Sequence, residues 1–144
     1  MTEKQQVRYW SLKSEPSSYS FSQLIAEKKT TWEGVRNPEA RYYLGQMQLG
    51  DLAFFYHSNQ GKEIVGIARI CRTAHADPTS PEKWIAVEVE PVMPLNQPVS
   101  LTLLKATPAL DKMVLVRRSR LSVAPVTEEE FKIVLHLGNT QLIL

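Results

Sequence analysis

The chain has almost nothing with which to cross-link itself: of 144 residues, one is a cysteine. A lone Cys71 cannot form an intramolecular disulfide, which predicts a reducing compartment. An excess of either charge is also missing. Lys and Arg number 17 against 15 Asp and Glu, a formal net charge of +2. That excess is too small to argue for nucleic-acid binding by composition alone. No apolar run approaches the roughly 20 residues of a membrane span. The polar stretch Met1–Gln6 lacks the apolar segment of a signal peptide. Absent too are a Gly-rich phosphate loop, paired carboxylates at a recognisable spacing and a Cys/His set spaced for a metal. No nucleophile, base and orienting group assemble along the chain. These gaps leave catalysis unsupported and predict no catalytic residue, no metal and no cofactor. They also predict a soluble intracellular protein without a membrane partner, cytoplasmic, or nuclear in a eukaryote.

What is present suits one domain over residues 1–144. The length leaves little room for two domains. Hydrophobic residues make up 43% and charged residues 22%, ordinary for a globular core that needs no metal or disulfide. No internal repeat, low-complexity stretch or long linker divides it. The pattern favours a monomer without fixing the oligomeric state.

Val7–Leu12 is a strand candidate ended by Ser14-Glu15-Pro16. Ser20 with Gln23 forms a capping-box pattern that starts a short helix. Asn37 caps a second helix with Pro38 in its first turn, and Ala40, Tyr43, Leu44 and Met47 give it one buried face. After the turn at Leu49-Gly50-Asp51, Leu52, Phe54 and Tyr56 point to one side of a strand and Ala53, Phe55 and His57 to the other. A polar hairpin over Ser58–Lys62 leads into a strand over Glu63–Thr73. Gly66 inside it predicts a bulge or a close approach to the backbone. Trp84–Val92 alternates as a half-buried strand. Pro91, Pro94 and Pro98 predict that Met93–Val99 is mostly loop. Val114–Val116 and Leu121–Val123 read as further short strands. Thr127 with Glu130 caps a last helix, with Gly138 at its end. Short strands flanked by short helices indicate an α+β fold, drawn best as a small, partly closed β-barrel.

Four segments gather residues able to do chemistry: Lys13–Pro16, Trp32–Asn37, Tyr56–Ser58 and Arg117–Val126. Trp32 has a core reading, but its polar and small neighbours Glu33, Gly34 and Arg36 place it in a loop. There its indole face offers a base a stacking surface worth roughly 1–3 kcal/mol. Asn37 reads first as a helix cap, second as an amide for a base edge. His57 beside Ser58 invites a general-base reading. Neighbours in a strand face opposite ways, so a ligand-facing hydrogen-bonder or a capped strand end is the better reading. His75 and Asp77 are too few for a metal and are assigned to a loop. Cys71 reads as a small buried hydrophobe. Ser14 and Glu15 form a turn, or Ser14 beside Lys13 meets a phosphate or base edge. Arg117, Arg118 and Arg120 are either solvated or a phosphate track.

Taken together, YW-x-x-KSEP at Tyr9–Pro16, W-x-GVRN at Trp32–Asn37, Ala40-Arg41, Gly50-Asp51, FFYHS at Phe54–Ser58, VGIA at Val65–Ala68 and RLSVAPV at Arg120–Val126 resemble an EVE domain. That family is PUA-like and related to ASCH and YTH domains. Seven ordered segments carry the resemblance over nearly the whole chain. It implies a PUA-like barrel whose pocket takes a flipped or unpaired base, often a modified one, with modified cytosine in DNA the eukaryotic case. By position, Ser14, Trp32, Arg36, Asn37, His57 and Ser58 would line the pocket. Lys13, Arg117, Arg118 and Arg120 would meet phosphates, with DNA or RNA as the partner. Tyr42 stands where the family usually has asparagine, Ser11 replaces a usual leucine, and Asn59–Glu63 lacks a frequent Pro-Gly. The competing expectations are a small-molecule or nucleotide sensor, and a hydrolase or transferase on a nucleotide-derived substrate with His57 as base.

Overall fold

Six strands and five short α-helices are found in the computed structural model, which describes residues 6–79 and 84–142. They follow as β1 (Tyr9–Ser14), α1 (Phe21–Glu27), β2 (Thr30–Trp32), α2 (Pro38–Gln46), β3 (Leu52–His57), β4 (Glu63–Ala76), β5 (Ile85–Ser100), α3 (Leu101–Ala106), α4 (Val114–Arg117), β6 (Val123–Val126) and α5 (Glu128–Leu137). The strands form one sheet in the order β2-β5-β4-β3-β1-β6. The β1–β3 pair is parallel and the other pairs are antiparallel. This is the α+β, partly closed architecture expected, with β2 and β6 left as its two edges.

The helix starts follow from capping chemistry. Ser20 accepts from the Gln23 N–H while Gln23 accepts from the Ser20 N–H, and Thr127 and Glu130 repeat the exchange on α5. Asn37 Oδ1 accepts from the Ala40 N–H at 3.0 Å, with Pro38 in the first turn. Each pair satisfies backbone donors that have no partner inside the helix.

Strand alternation sorts the core onto two faces. On one, Ala53 and Phe55 pack with Trp10, Leu12, Phe21, Leu24, Leu44 and Val87 under α1 and α2. On the other, Leu52, Phe54 and Tyr56 pack with Leu104, Leu115, Phe131 and Val134 under α3, α4 and α5. Phe131 is stacked between Tyr9 (4.3 Å) and Phe54 (4.6 Å). Both readings of Gly66 hold. The ladder slips between Ile64 and Gly66, and a Cβ at Gly66 would lie 2.4 Å from Cε2 and Cζ of the Phe21 ring.

Four expectations fail for identifiable reasons. Met93–Val99 is strand, because β2 pairs with β5 only through Val87–Val89. Beyond Val89 one side of β5 has no strand neighbour, and its prolines sit near register slips where no ladder donor is needed. Val114–Val116 is helical, since burial of Leu115 under the second face overrides weak helix propensity. The strand expected at Leu121–Val123 starts at Val123 and runs through Pro125, which an edge strand tolerates. Cys71 is only half-buried, next to a slip at Ile70/Arg72.

Candidate functional site

A cavity of about 460 Å³ opens between the two edges of the sheet. One wall is β2 and the loop after it, Thr30 to Arg36. The other is the end of β1 at Lys13 and Ser14, with Ser122 just before β6. Ser18 and Tyr19 close one side. The seam where the barrel fails to close is therefore the pocket, and as an edge strand β2 leaves one row of backbone groups there without a strand partner.

Trp32 ends β2 rather than standing in a free loop, and it is 9% exposed. It was expected in a loop because its neighbours are polar; β2 is simply too short to show alternation. Behind it lies an aromatic cluster. Phe55 meets Trp32 edge-on at 5.5 Å, and Tyr19 meets Trp32 edge-on at 6.5 Å. The indole is thus core on one side and cavity wall on the other. The Tyr19 hydroxyl donates to Glu27 Oε1 at 2.7 Å, which holds the ring upright at the rim.

The loop after Trp32 owes its shape to a distant carboxylate. Gly34 adopts φ +75°, and its N–H donates to Asp77 Oδ2 at 2.8 Å. Asp77 Oδ1 accepts from both the Thr79 N–H (2.7 Å) and the Thr79 hydroxyl (2.6 Å). Asp77 is 3% exposed. Burial pushes its carboxyl upward, but the Thr79 and Gly34 donors with the nearby Arg36 charge outweigh that and hold it below the usual range. The Arg36 guanidinium lies 4.7 Å over the Trp84 ring, a cation–π contact that fixes it at the cavity rim. Asp77 and Trp84 could not be assigned from sequence, because only folding brings them to the Trp32 loop.

The expected site residues divide into groups. Lys13, Ser14, Trp32 and Arg36 line the cavity together. Ser14 Oγ donates to the Tyr19 carbonyl at 2.7 Å and ties the 15–19 turn to β1. Asn37 faces a separate groove of about 260 Å³ with Arg117, Arg118 and Arg120. Its Oδ1 is occupied as the α2 cap. Arg118 is paired with Glu39 at 2.7 Å, whereas among the described residues Arg117 and Arg120 have no carboxylate within 4 Å. Ser58 lines a third recess on the far side of Lys13.

His57 lines none of these three spaces. Its Nε2 accepts from the Phe21 N–H at 3.1 Å. A backbone N–H can only donate, so the lone pair is committed and the neutral ring carries its proton on Nδ1. Burial lowers its pKa, with Glu63 partly opposing. The imidazole serves as a cap for α1, and the general-base reading has no free base. His75 lies in β4 rather than in the expected loop, with Nδ1 3.0 Å from the Thr73 carbonyl, and no cluster of three or more potential metal ligands occurs among the described residues. Tyr42, a departure from the family pattern, is exposed on α2 against Tyr43, away from the cavity.

No helix among the described residues is long and apolar enough to cross a membrane. A model of the EVE domain matches residues 8–137. Mouse thymocyte nuclear protein 1 is 39% identical, covering 92% of this chain and 74% of that protein. A crystal structure of an Agrobacterium tumefaciens protein is 45% identical with a TM-score of 0.90, covering 93% of this chain and 94% of the other. Human THYN1, solved in complex with 5-methylcytosine containing DNA, is 35% identical with a TM-score of 0.85. The match covers 93% of this chain and 99% of that one.

Proposed function

The chain belongs to the EVE domain family, and from that premise we propose that it is a non-catalytic reader of nucleic acid, holding an unpaired or flipped, modified base in the cavity beside Trp32. One observation carries the reading: an aromatic-walled cavity at the open seam of the sheet, with a fixed guanidinium at its rim. Its volume of about 460 Å³ lies in the range of small-ligand pockets, roughly 300–1,000 Å³. The THYN1 complex favours modified cytosine in DNA as the target. Nucleic acid, DNA or RNA, is then the partner, in the cytoplasm or, in a eukaryote, the nucleus.

The base leaves its stack at a cost of a few kcal/mol, smallest where it is mispaired or single-stranded. Contact with Trp32 recovers roughly 1–3 kcal/mol. A buried methyl group adds about 0.8 kcal/mol, so selection for it rests on fit in a narrow space. Ser14, Thr30, Thr31 and the free edge of β2 supply polar partners for the base edge. Arg36, Arg117 and Arg120 meet phosphates. Arg118, held by Glu39, shapes the groove.

The test is a binding panel of cytosine- and adenine-modified oligonucleotides, in DNA and RNA, against wild type, Trp32→Ala and Trp32→Phe. Loss of the stacking surface in Trp32→Ala weakens the preferred probe by about 5- to 150-fold, the equivalent of 1–3 kcal/mol. Trp32→Phe keeps a ring in the core and separates lost stacking from lost folding. Wild-type binding of every probe by folded Trp32→Ala would remove the cavity from consideration.

A further inference from the structure

Behind Lys13 lies a recess that the base-holding reading leaves unused. It measures about 160 Å³, and three lysines, Lys13, Lys62 and Lys105, are among its lining residues, with Tyr56, Ser58 and Ser119. No acidic side chain among the described residues lines it. Among the described residues, neither Lys62 nor Lys105 has a carboxylate within 4 Å. The adjacent Glu15 accepts from Asn59 Nδ2 at 2.7 Å and is not part of the lining. Like charges so gathered repel one another unless an anion joins them.

The position of the recess decides which anion. Lys13 lines both the cavity and the recess, and Ser119 lines both the recess and the arginine groove. Lys13 Nζ donates to the carbonyls of Arg118 (3.1 Å) and Ser119 (2.9 Å) and lies 5.8 Å over the Tyr56 ring. It is thus a fixed sill between two chambers with one N–H still to give. The 58–62 turn is anchored on α3, for the Leu101 N–H donates to the Lys62 carbonyl at 2.8 Å. Lys62 and Lys105 therefore stand on backbone segments joined by this hydrogen bond.

We propose that this recess is a second subsite, binding a backbone phosphodiester of the strand whose base occupies the cavity, with Lys62 and Lys105 as its main ligands and Lys13 as the shared sill. The inference rests on the base-holding reading and adds the direction of the strand. From the cavity the backbone crosses Lys13 into the recess, then passes Ser119 toward Arg117 and Arg120.

The experiment measures binding of a single-stranded 12-mer carrying one 5-methylcytosine, and of the free modified nucleoside, across a salt series. Wild type is compared with Lys62→Gln/Lys105→Gln, the control Lys112→Gln/Lys132→Gln, Trp32→Ala and Trp32→Phe. Inorganic phosphate is titrated as competitor. Removing the recess lysines is expected to weaken the 12-mer and lower the slope of log affinity against log salt by about 0.7, one single-strand phosphate. Nucleoside binding stays at the wild-type level, and Lys62→Arg/Lys105→Arg restores the slope. An unchanged slope, or an equal fall in the control, overturns the subsite whatever Trp32 does. Competition by free phosphate that leaves the 12-mer slope untouched in the lysine variant also overturns it, since the recess then holds a free anion. Wild-type binding by both Trp32 variants overturns the base pocket, and the slope alone then judges the recess.

Discussion

Asp77→Asn tests how the cavity wall is held. The exchange is nearly isosteric, yet the carboxylate has two accepting oxygens and the amide has one. Asp77 serves three donors, the Gly34 N–H, the Thr79 N–H and the Thr79 hydroxyl. If the amide oxygen keeps the Thr79 pair, the amide NH₂ faces the Gly34 N–H, donor against donor. If it flips, the Thr79 N–H is stranded instead, although the hydroxyl can turn to accept. Either way one donor around a 3% exposed side chain is left unpaired. Such a loss costs about 1–3 kcal/mol, which for a chain of 144 residues lowers the thermal midpoint by roughly 3–10 °C. The affected loop is the one carrying Trp32, Gly34 and Arg36. About 1 kcal/mol lost from its ordered form reappears as a cost of binding, weakening the preferred oligonucleotide about fivefold. Thermal unfolding and anisotropy titrations on one preparation read both effects. The carboxyl is held below its ordinary value when folded, so its contribution is complete above about pH 4 and is lost as pH falls through the lower folded value. The gap between wild type and variant therefore closes in acid. A variant with wild-type midpoint and affinity at pH 7 refutes the claim that Asp77 shapes the cavity.

Two further perturbations follow from buried polar groups. Ser11 Oγ is buried on β1 with no hydrogen-bond partner among the described residues. Ser11→Ala is therefore expected to raise stability by about 1 kcal/mol, seen as a midpoint about 3 °C higher; a lower midpoint shows that the hydroxyl is satisfied. His57 caps α1 only while neutral, and its pKa is depressed by burial. The sign is that of a group whose stabilisation is complete above its unfolded value near 6.5 and lost as pH falls through the lower folded value. His57→Gln, which offers an amide oxygen to the Phe21 N–H, should flatten the stability curve below about pH 6.5. An unchanged curve in urea titrations across that range would show that the imidazole is no cap.

What the sequence disclosed depended on the range of the interactions. Ser20–Gln23, Asn37–Pro38 and Thr127–Glu130 act over three or four residues, so their helices could be read directly. The alternation of Leu52–His57 is equally local, and it separated the two cores correctly. The failures lay where tertiary context outweighs propensity, as in the helical Val114–Arg117 and the proline-bearing end of β5. At the site, the segments holding Lys13, Ser14, Trp32 and Arg36 stood out as motifs, and folding brings those four to one cavity. Their supports did not stand out. Asp77 lies 43 residues from Gly34, and Tyr19, Trp84 and Ser122 reach the site only through a seam that is a property of strand order. His57 misled because a histidine at a strand end has the same sequence appearance whether it faces a ligand or a helix start.

The far end of β5 carries a consequence for how the protein behaves in a crowded solution. Strand edges with free N–H groups are templates on which foreign strands add and fibres begin. Here Pro91, Pro94 and Pro98 bear no N–H at all. The amides of Asn96 and Gln97 are already given, at 2.8 Å to Thr140 Oγ1 and at 3.0 Å to the Gly138 carbonyl. Glycine suits position 138 in this closure, because a Cβ there would lie 3.0 Å from the Gln97 carbonyl, a tight contact. This border of the sheet therefore offers few free donors to an added strand, and among the described residues the edge that borders the pocket with open backbone is β2.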